Sequence, residues 1–190
     1  EICNRRKTGE TYPQWLTISA VHNEYGQIER YIGVFTDISR LRNAEAHAEF
    51  IAYHDPLTKL PNRSLLNIRF EHALERARRH HHKMALLIFD LDLFKNINDS
   101  FGHEFGDVLL VAITERFKLR LRDEDTLVRV HGDEFAVLME EIEVAADAAV
   151  VASDLLKALE APFRIGGSDE IYLSASAGIS ISPDDGSDPA

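Results

Sequence analysis

The 190-residue chain has a single cysteine, Cys3. That leaves no partner for a disulfide and too few thiols for a zinc framework, and it favours a reducing, cytoplasmic setting. No apolar run approaches the roughly 20 residues of a membrane-spanning helix. Glycine-rich phosphate loops are missing as well: neither GxxxxGK(S/T) nor GxGxxG occurs, so the usual loop cradles for a nucleotide are absent. Positive charge is also short, with 21 Lys and Arg against 32 Asp and Glu, a net charge of −11. A nucleic-acid polymer needs a basic surface and is disfavoured as a partner. A single nucleotide is not, because Mg²⁺ bridges carboxylates to phosphates. No internal repeat is present. The chain starts at Glu1 rather than methionine and reads as a segment of a longer protein.

What is there divides into two patterns. Residues 11–22 (TYPQWLTISAVH) and 28–37 (IERYIGVFTD) read as strands, with NEYGQ supplying the turn between them. Two strands are marginal alone, so they are expected to close a larger sheet domain. From Ile38 the period changes: Ile38, Leu41, Ala44, Ala48 and Ile51 recur at three- and four-residue steps. That predicts a short helix, either a plain linker or a dimerising connector. HDPLTKLPNR, residues 54–63, is a structured loop. A helix follows with Leu66, Phe70, Ala73 and Ala77 on one face. Met84 to Phe89 suits a buried strand ending at Asp90. A second helix carries Leu109, Ile113 and Phe117; Thr126–Val130 and Phe135–Met139 form a hairpin. A third helix spans 145–159, and residues 171–181 alternate as a half-buried strand. The order α-β-α-β-β-α-β predicts an α+β domain with helices on a mainly antiparallel sheet.

Chemistry gathers at two acidic places. Asp90 and Asp92 lie two apart at the end of the buried strand; Asp133 and Glu134 sit on the hairpin turn beside Gly132. If the strands are neighbours, these carboxylates converge on one or two Mg²⁺ ions, with Lys95 placed to meet phosphate oxygens. Each cluster alone would pass for a helix cap or a solvated turn; together, with a lysine between them, they favour a site. NDSFGHEFGDVLL places Asp107 at the opening of a helix, as a first-turn acid or, with Asn98, as a reader of a base.

DPLTKLPNR, FDLDLFKNINDSFGHEFGD, RVHGDEFAVL and SASAGISISPDDG, in this order and spacing, resemble the GGDEF family of diguanylate cyclases. GETYPQWLTISAV and YIGVFTDIS resemble the last strands of a PAS sensor domain. The resemblance implies residues 1–39 as the end of a PAS domain, 40–54 as a linker helix with a coiled-coil option, and 55–190 as a GGDEF domain. It also implies a ferredoxin-like, nucleotide-cyclase palm fold. The implied activity condenses two GTP molecules into cyclic di-GMP under PAS control. Asp90, Asp133 and the Leu91 carbonyl would be Mg²⁺ ligands, with Mn²⁺ as an alternative ion. Glu134 would activate the ribose 3′-hydroxyl, with Asp133 and Lys95 completing the catalytic set and Lys95 binding the terminal phosphates. Asn98 and Asp107 would read guanine, with Gly132 lining the nucleotide, and Asp92 would support. Arg122 and Asp125 match the family's RxxD inhibitory site for cyclic di-GMP. A homodimer is implied, through the linker helix and two facing GGDEF domains. The location would be the cytoplasm, or the cytoplasmic side of the inner membrane if transmembrane segments lie upstream.

The sequence departs from the family at His131, where the turn normally has a first glycine, and at Lys59, where glycine is usual. A left-handed backbone at His131 would strain a side-chain-bearing residue; the change at Lys59 is the smaller one. The family's next helix, with further phosphate-binding cations, would lie beyond Ala190. The alternative reading is a catalytically weak or inactive module that binds GTP or cyclic di-GMP and regulates a downstream phosphodiesterase domain. RHHHK, residues 79–83, reads as a solvated helix end rather than a metal site.

Overall fold

Alternation along one apolar segment organises the larger part of the molecule. In β4 (Lys83–Leu91), Ala85, Leu87, Phe89 and Leu91 point one way and are almost fully buried, while Met84 and Leu86 point the other way. The computed structural model describes residues 1–165 and 170–186. The chain separates into two units, residues 1–50 and 51–190.

In the second unit, α2 (Arg63–His80) leads into β4, followed by α3 (Phe94–Phe101) and α4 (His103–Lys118). The hairpin β5 (Thr126–His131) and β6 (Glu134–Ile142), α5 (Ala145–Glu160) and β7 (Ala175–Ser182) complete it. The four strands form an antiparallel sheet in the order β5-β6-β4-β7. On one face, the odd residues of β4 join Leu109, Ile113 and Phe117 of α4 and Ala148, Ala152, Leu155 and Leu159 of α5 in the main core. On the other, Leu66, Ala73, Leu74 and Ala77 of α2 pack on Met84, Val128, Ala136 and Leu138. This is the expected α+β architecture with an antiparallel sheet between helical layers.

Local chemistry sets the ends. Asn62 caps α2, its side-chain oxygen accepting from the N–H groups of Ser64 and Leu65. His81 ends the helix in the left-handed region, after the basic last turn Arg78-Arg79-His80. The histidine run is therefore a helix terminus, with the rings of His80 and His82 stacked 6.2 Å apart.

Several boundaries differ from expectation. α3 is a separate helix that begins after Leu93, a residue in the left-handed conformation. α4 starts at His103, so Asp107 lies inside it rather than opening it. The last strand begins at Ala175; Ile171 instead forms an isolated bridge with Phe163. Residues 187–190, which would lead into the family's next helix, lie outside the described residues.

In the first unit, β2 (Thr11–His22) and β3 (Ile28–Asp37) pair antiparallel, and β1 (Ile2–Arg5) adds a third strand that sequence patterning does not signal. The turn holds because Asn23 Oδ1 accepts from the N–H groups of Tyr25 and Gln27. Trp15, Ile18, Tyr31 and Phe35 of this sheet are each more than half exposed. α1 (Ser39–Tyr53) buries none of its residues, and Leu41 and Ile51 stay exposed. Ile38 precedes α1 and is buried, its N–H donating to the Pro13 carbonyl, so it falls outside any helical seam. Asp37 receives Ser39's hydroxyl and backbone N–H, then the Arg6 guanidinium; together these hold its carboxyl down to about 2.

Candidate active site

The register of β4, β6 and β5 decides where each carboxylate points. Asp90 is the direct cross-strand partner of Glu134, and Glu134 is in turn opposite His131. Direct partners project to one sheet face, so Asp90, Glu134 and His131 stand in a row. Like charges set opposite each other destabilise a sheet, so the Asp90–Glu134 pair is unfavourable without a cation. The contact present is His131 Nε2, 3.1 Å from Glu134 Oε2.

Asp133, one residue earlier, lies in the turn between the strands. It lines a cleft of about 500 Å³ with Lys95 and Asn98 of α3, Asp107 of α4, Gly132 and Arg129. Five of the sequence-predicted residues thus meet in one cleft, while Asp90, Leu91 and Glu134 do not line it. The Leu91 side chain is buried in the core, and its N–H donates to the Asp133 carbonyl at 3.4 Å, tying strand to turn. No group of three or more His, Cys, Asp or Glu among the described residues could hold a metal ion. Asp90, Asp133 and the Leu91 carbonyl would offer only oxygen donors, the kind Mg²⁺ takes.

α3 and α4 approach closely at Gly106. A Cβ there would lie 1.9 Å from Asn98 Oδ1, so only glycine admits the Asn98 side chain. That oxygen is buried without a hydrogen-bond partner among the described residues. An orphaned amide oxygen beside a polar cleft suits ligand recognition.

Asp92 is occupied elsewhere. Its two carboxylate oxygens accept from Ser174 Oγ at 2.7 Å and Ser176 Oγ at 2.9 Å, and these hydroxyls lower its pKa. The carboxylate ties the end of β4 to β7, a supporting position.

The turn is braced by a residue that sequence reasoning missed. Arg129 donates from Nε and Nη2 to the Gly132 carbonyl, at 3.0 and 2.8 Å, and from Nη1 to Asp55 Oδ1 at 3.0 Å. Asp55 also accepts from Thr58 N–H and Oγ1, at 2.7 and 2.6 Å. Burial pushes the Asp55 carboxyl up, but Thr58 and Arg129 together outweigh it and leave its pKa lowered. A charged residue inside the otherwise apolar run TLVRV was the available signal, since a partly buried guanidinium requires acceptors.

Strain falls on one of the two departures only. Gly132 takes φ +50 while His131 stays out of the left-handed region, so the histidine is accommodated. Lys59 has φ +61.

Arg122 and Asp125 lie away from the cleft. Arg122 N–H donates to Asp125 Oδ2 at 3.1 Å, and Asp125 N–H returns to the Arg122 carbonyl at 3.1 Å. Burial foremost raises the pKa of Asp125. The Arg122 side chain borders two further clefts, one of about 530 Å³ beside Arg76 and one of about 360 Å³ beside Arg69 and Lys118.

A family model described as "Diguanylate cyclase, GGDEF domain" matches residues 52–190. The chain belongs to the GGDEF family. It is 46% identical over 145 residues to the bifunctional diguanylate cyclase/cyclic di-GMP phosphodiesterase MucR of Pseudomonas aeruginosa, covering 75% of this chain and 21% of MucR. It is 39% identical over 169 residues to the cyclic di-GMP phosphodiesterase PdeR of Escherichia coli, covering 88% of this chain and 25% of PdeR. The solved GGDEF domain of TpbB (YfiN) from Pseudomonas aeruginosa matches with a TM-score of 0.68 at 39% identity, over 71% of this chain and 80% of that one. The GGDEF chain thus spans only a fifth to a quarter of the length of MucR and PdeR. No helix among its described residues is long and apolar enough to cross a membrane.

Proposed function

We propose that the GGDEF unit is a diguanylate cyclase domain, converting two GTP molecules into cyclic di-GMP and two pyrophosphates. The observation that carries this reading is the cleft that joins Lys95, Asn98, Asp107, Gly132 and Asp133, with the Asp90–Glu134 pair directly behind the turn. Asn98 and Asp107 offer opposite hydrogen-bonding polarity to a guanine edge, and Lys95 meets the terminal phosphates. Asp90, Asp133 and the Leu91 carbonyl would hold Mg²⁺, or Mn²⁺ in its place, which when bound neutralises phosphate charge. The ribose 3′-hydroxyl oxygen bonds to the α-phosphorus of a second GTP, its proton passes to Glu134, and the bond to the departing pyrophosphate breaks. Two such transfers close the ring.

The product is two-fold symmetric and each cleft holds one GTP, so two domains face each other in a homodimer. The exposed Leu41, Ala48 and Ile51 of α1 supply a seam for it. Residues 1–39 act as the end of a PAS-type sensor that sets the pairing of the two domains. Cyclic di-GMP binds at Arg122 and Asp125 and restrains its own synthesis; the guanidinium fork suits guanine edges or phosphate. The protein works in the cytoplasm or on the cytoplasmic side of the inner membrane.

The test is incubation of the chain with GTP and Mg²⁺, with cyclic di-GMP measured by chromatography and Glu134→Gln as control. GTP binding without turnover would favour a regulatory module controlling a downstream phosphodiesterase domain. The likeness to PdeR is the observation on that side.

A further inference from the structure

His131 has no task in the reading above, yet it touches the residue assigned as base. The hairpin register puts it directly opposite Glu134, with Nε2 3.1 Å from Oε2. Its side chain is 63% exposed, so packing does not hold the ring in place. The backbone imposes nothing either, because Gly132 alone takes the left-handed conformation of the turn. The ring's polar contact is with the Glu134 carboxylate.

We infer that His131 is a positioning residue for the cyclase reaction: its Nε2–H holds Glu134 Oε2 and leaves Oε1 free for the proton of the incoming ribose hydroxyl. The inference rests on the cyclase reading above. Glu134 is partly exposed, and ordering a glutamate side chain costs entropy at the moment of reaction. A carboxylate already fixed through one oxygen meets the hydroxyl with less to lose. The role requires only that Nε2 carry a hydrogen. A glycine in place of His131 would supply no such donor, so this chain orients its base differently from a two-glycine turn.

Two variants separate positioning from mere structure. In the full 190-residue chain, His131→Ala is expected to lower kcat about ten-fold with KM for GTP nearly unchanged. His131→Gln, whose amide N–H can reach Oε2, restores most of that kcat. An unchanged kcat in His131→Ala, a loss carried by KM, or an equal loss in both variants overturns the inference. A second readout needs no turnover: long-range ¹⁵N NMR of the imidazole. The Nε2–H tautomer is expected, with ring signals that shift in Glu134→Ala; ring signals indifferent to Glu134 overturn the inference. A parent chain that makes no cyclic di-GMP overturns the cyclase reading instead, and the ring signals then decide the His131–Glu134 bond by themselves.

Discussion

Two groups of carboxylates flank the β5–β6 turn, and the fold treats them in opposite ways. Asp55 accepts from Thr58 twice and from Arg129 once, and Asp92 is held by two serine hydroxyls. Both are satisfied by the protein itself. The Asp90 and Asp133 side chains meet no hydrogen-bond or ion-pair partner among the described residues, and Glu134 has only the His131 ring. The first group builds the turn; the second is left with unspent acceptors where a cation and a nucleotide would supply donors. Satisfied carboxylates should therefore matter for stability, and unsatisfied ones for activity.

The sharpest test of that contrast is a pair of substitutions with crossed effects. Glu134→Gln should cut cyclic di-GMP formation by about 100-fold or more, the usual range for losing a general base. Its stability should stay level or rise by up to about 1 kcal/mol, since a like charge opposite Asp90 is gone. Arg129→Ala should lower the unfolding free energy of the GGDEF unit by about 3 kcal/mol, because Asp55 keeps its partly buried charge without its cation. Urea unfolding measures both; a destabilised Glu134→Gln protein would erase the distinction. Acid adds a signature. Asp55 has its folded pKa lowered, so its contribution is present above the ordinary carboxylate value and lost as pH falls through the lowered one. Arg129→Ala removes one of the donors holding the group down, so the folded pKa moves back toward the ordinary carboxylate value and the acid-linked loss contributed by Asp55 shrinks.

Gly106→Ala probes the cleft side more finely. The new Cβ would collide with Asn98 Oδ1, the end of a side chain able to swing away. Helix propensity favours alanine by about 1 kcal/mol, offsetting much of the crowding, so stability should change by less than about 1 kcal/mol. Displacing the Asn98 amide should instead raise KM for GTP about ten-fold. A stability loss with KM unchanged would move Gly106 and Asn98 from the recognising group to the building group.

Most of this division was legible in the sequence, and the parts that were not share a cause. Asp90, Asp133 and Glu134 stand out because carboxylates beside apolar strands are costly at any register. Arg129 was passed over because its value depends on Asp55, 74 positions away, and on a carbonyl that carries no sequence label. α3 escaped because an eight-residue helix offers barely two turns of periodicity. That Asp90 stands opposite Glu134 and not Asp133 follows from strand register, which pairing sets and composition does not. The sequence predicts backbone strain at His131, whereas the structure puts the left-handed residue at Gly132 and brings the ring into contact with Glu134.

The smallest effect expected lies at Lys59, on the building side. Its φ of +61 places a side-chain-bearing residue in the left-handed region, which costs roughly 1–2 kcal/mol relative to glycine. Glycine in turn loses about 0.5–1 kcal/mol through the greater freedom of the unfolded chain. Lys59 Nζ also donates to the Pro56 carbonyl at 2.6 Å, an exposed bond of small net value. Lys59→Gly should therefore gain about 0.5 kcal/mol, and Lys59→Asn a part of that, since asparagine tolerates this conformation better than lysine. Turnover should not move, because Lys59 does not line the cleft. Turnover that rises with the relieved strain would instead show Asp55, four residues earlier in the same loop, transmitting loop geometry through Arg129 to the turn, and the building and reacting groups would then be one device.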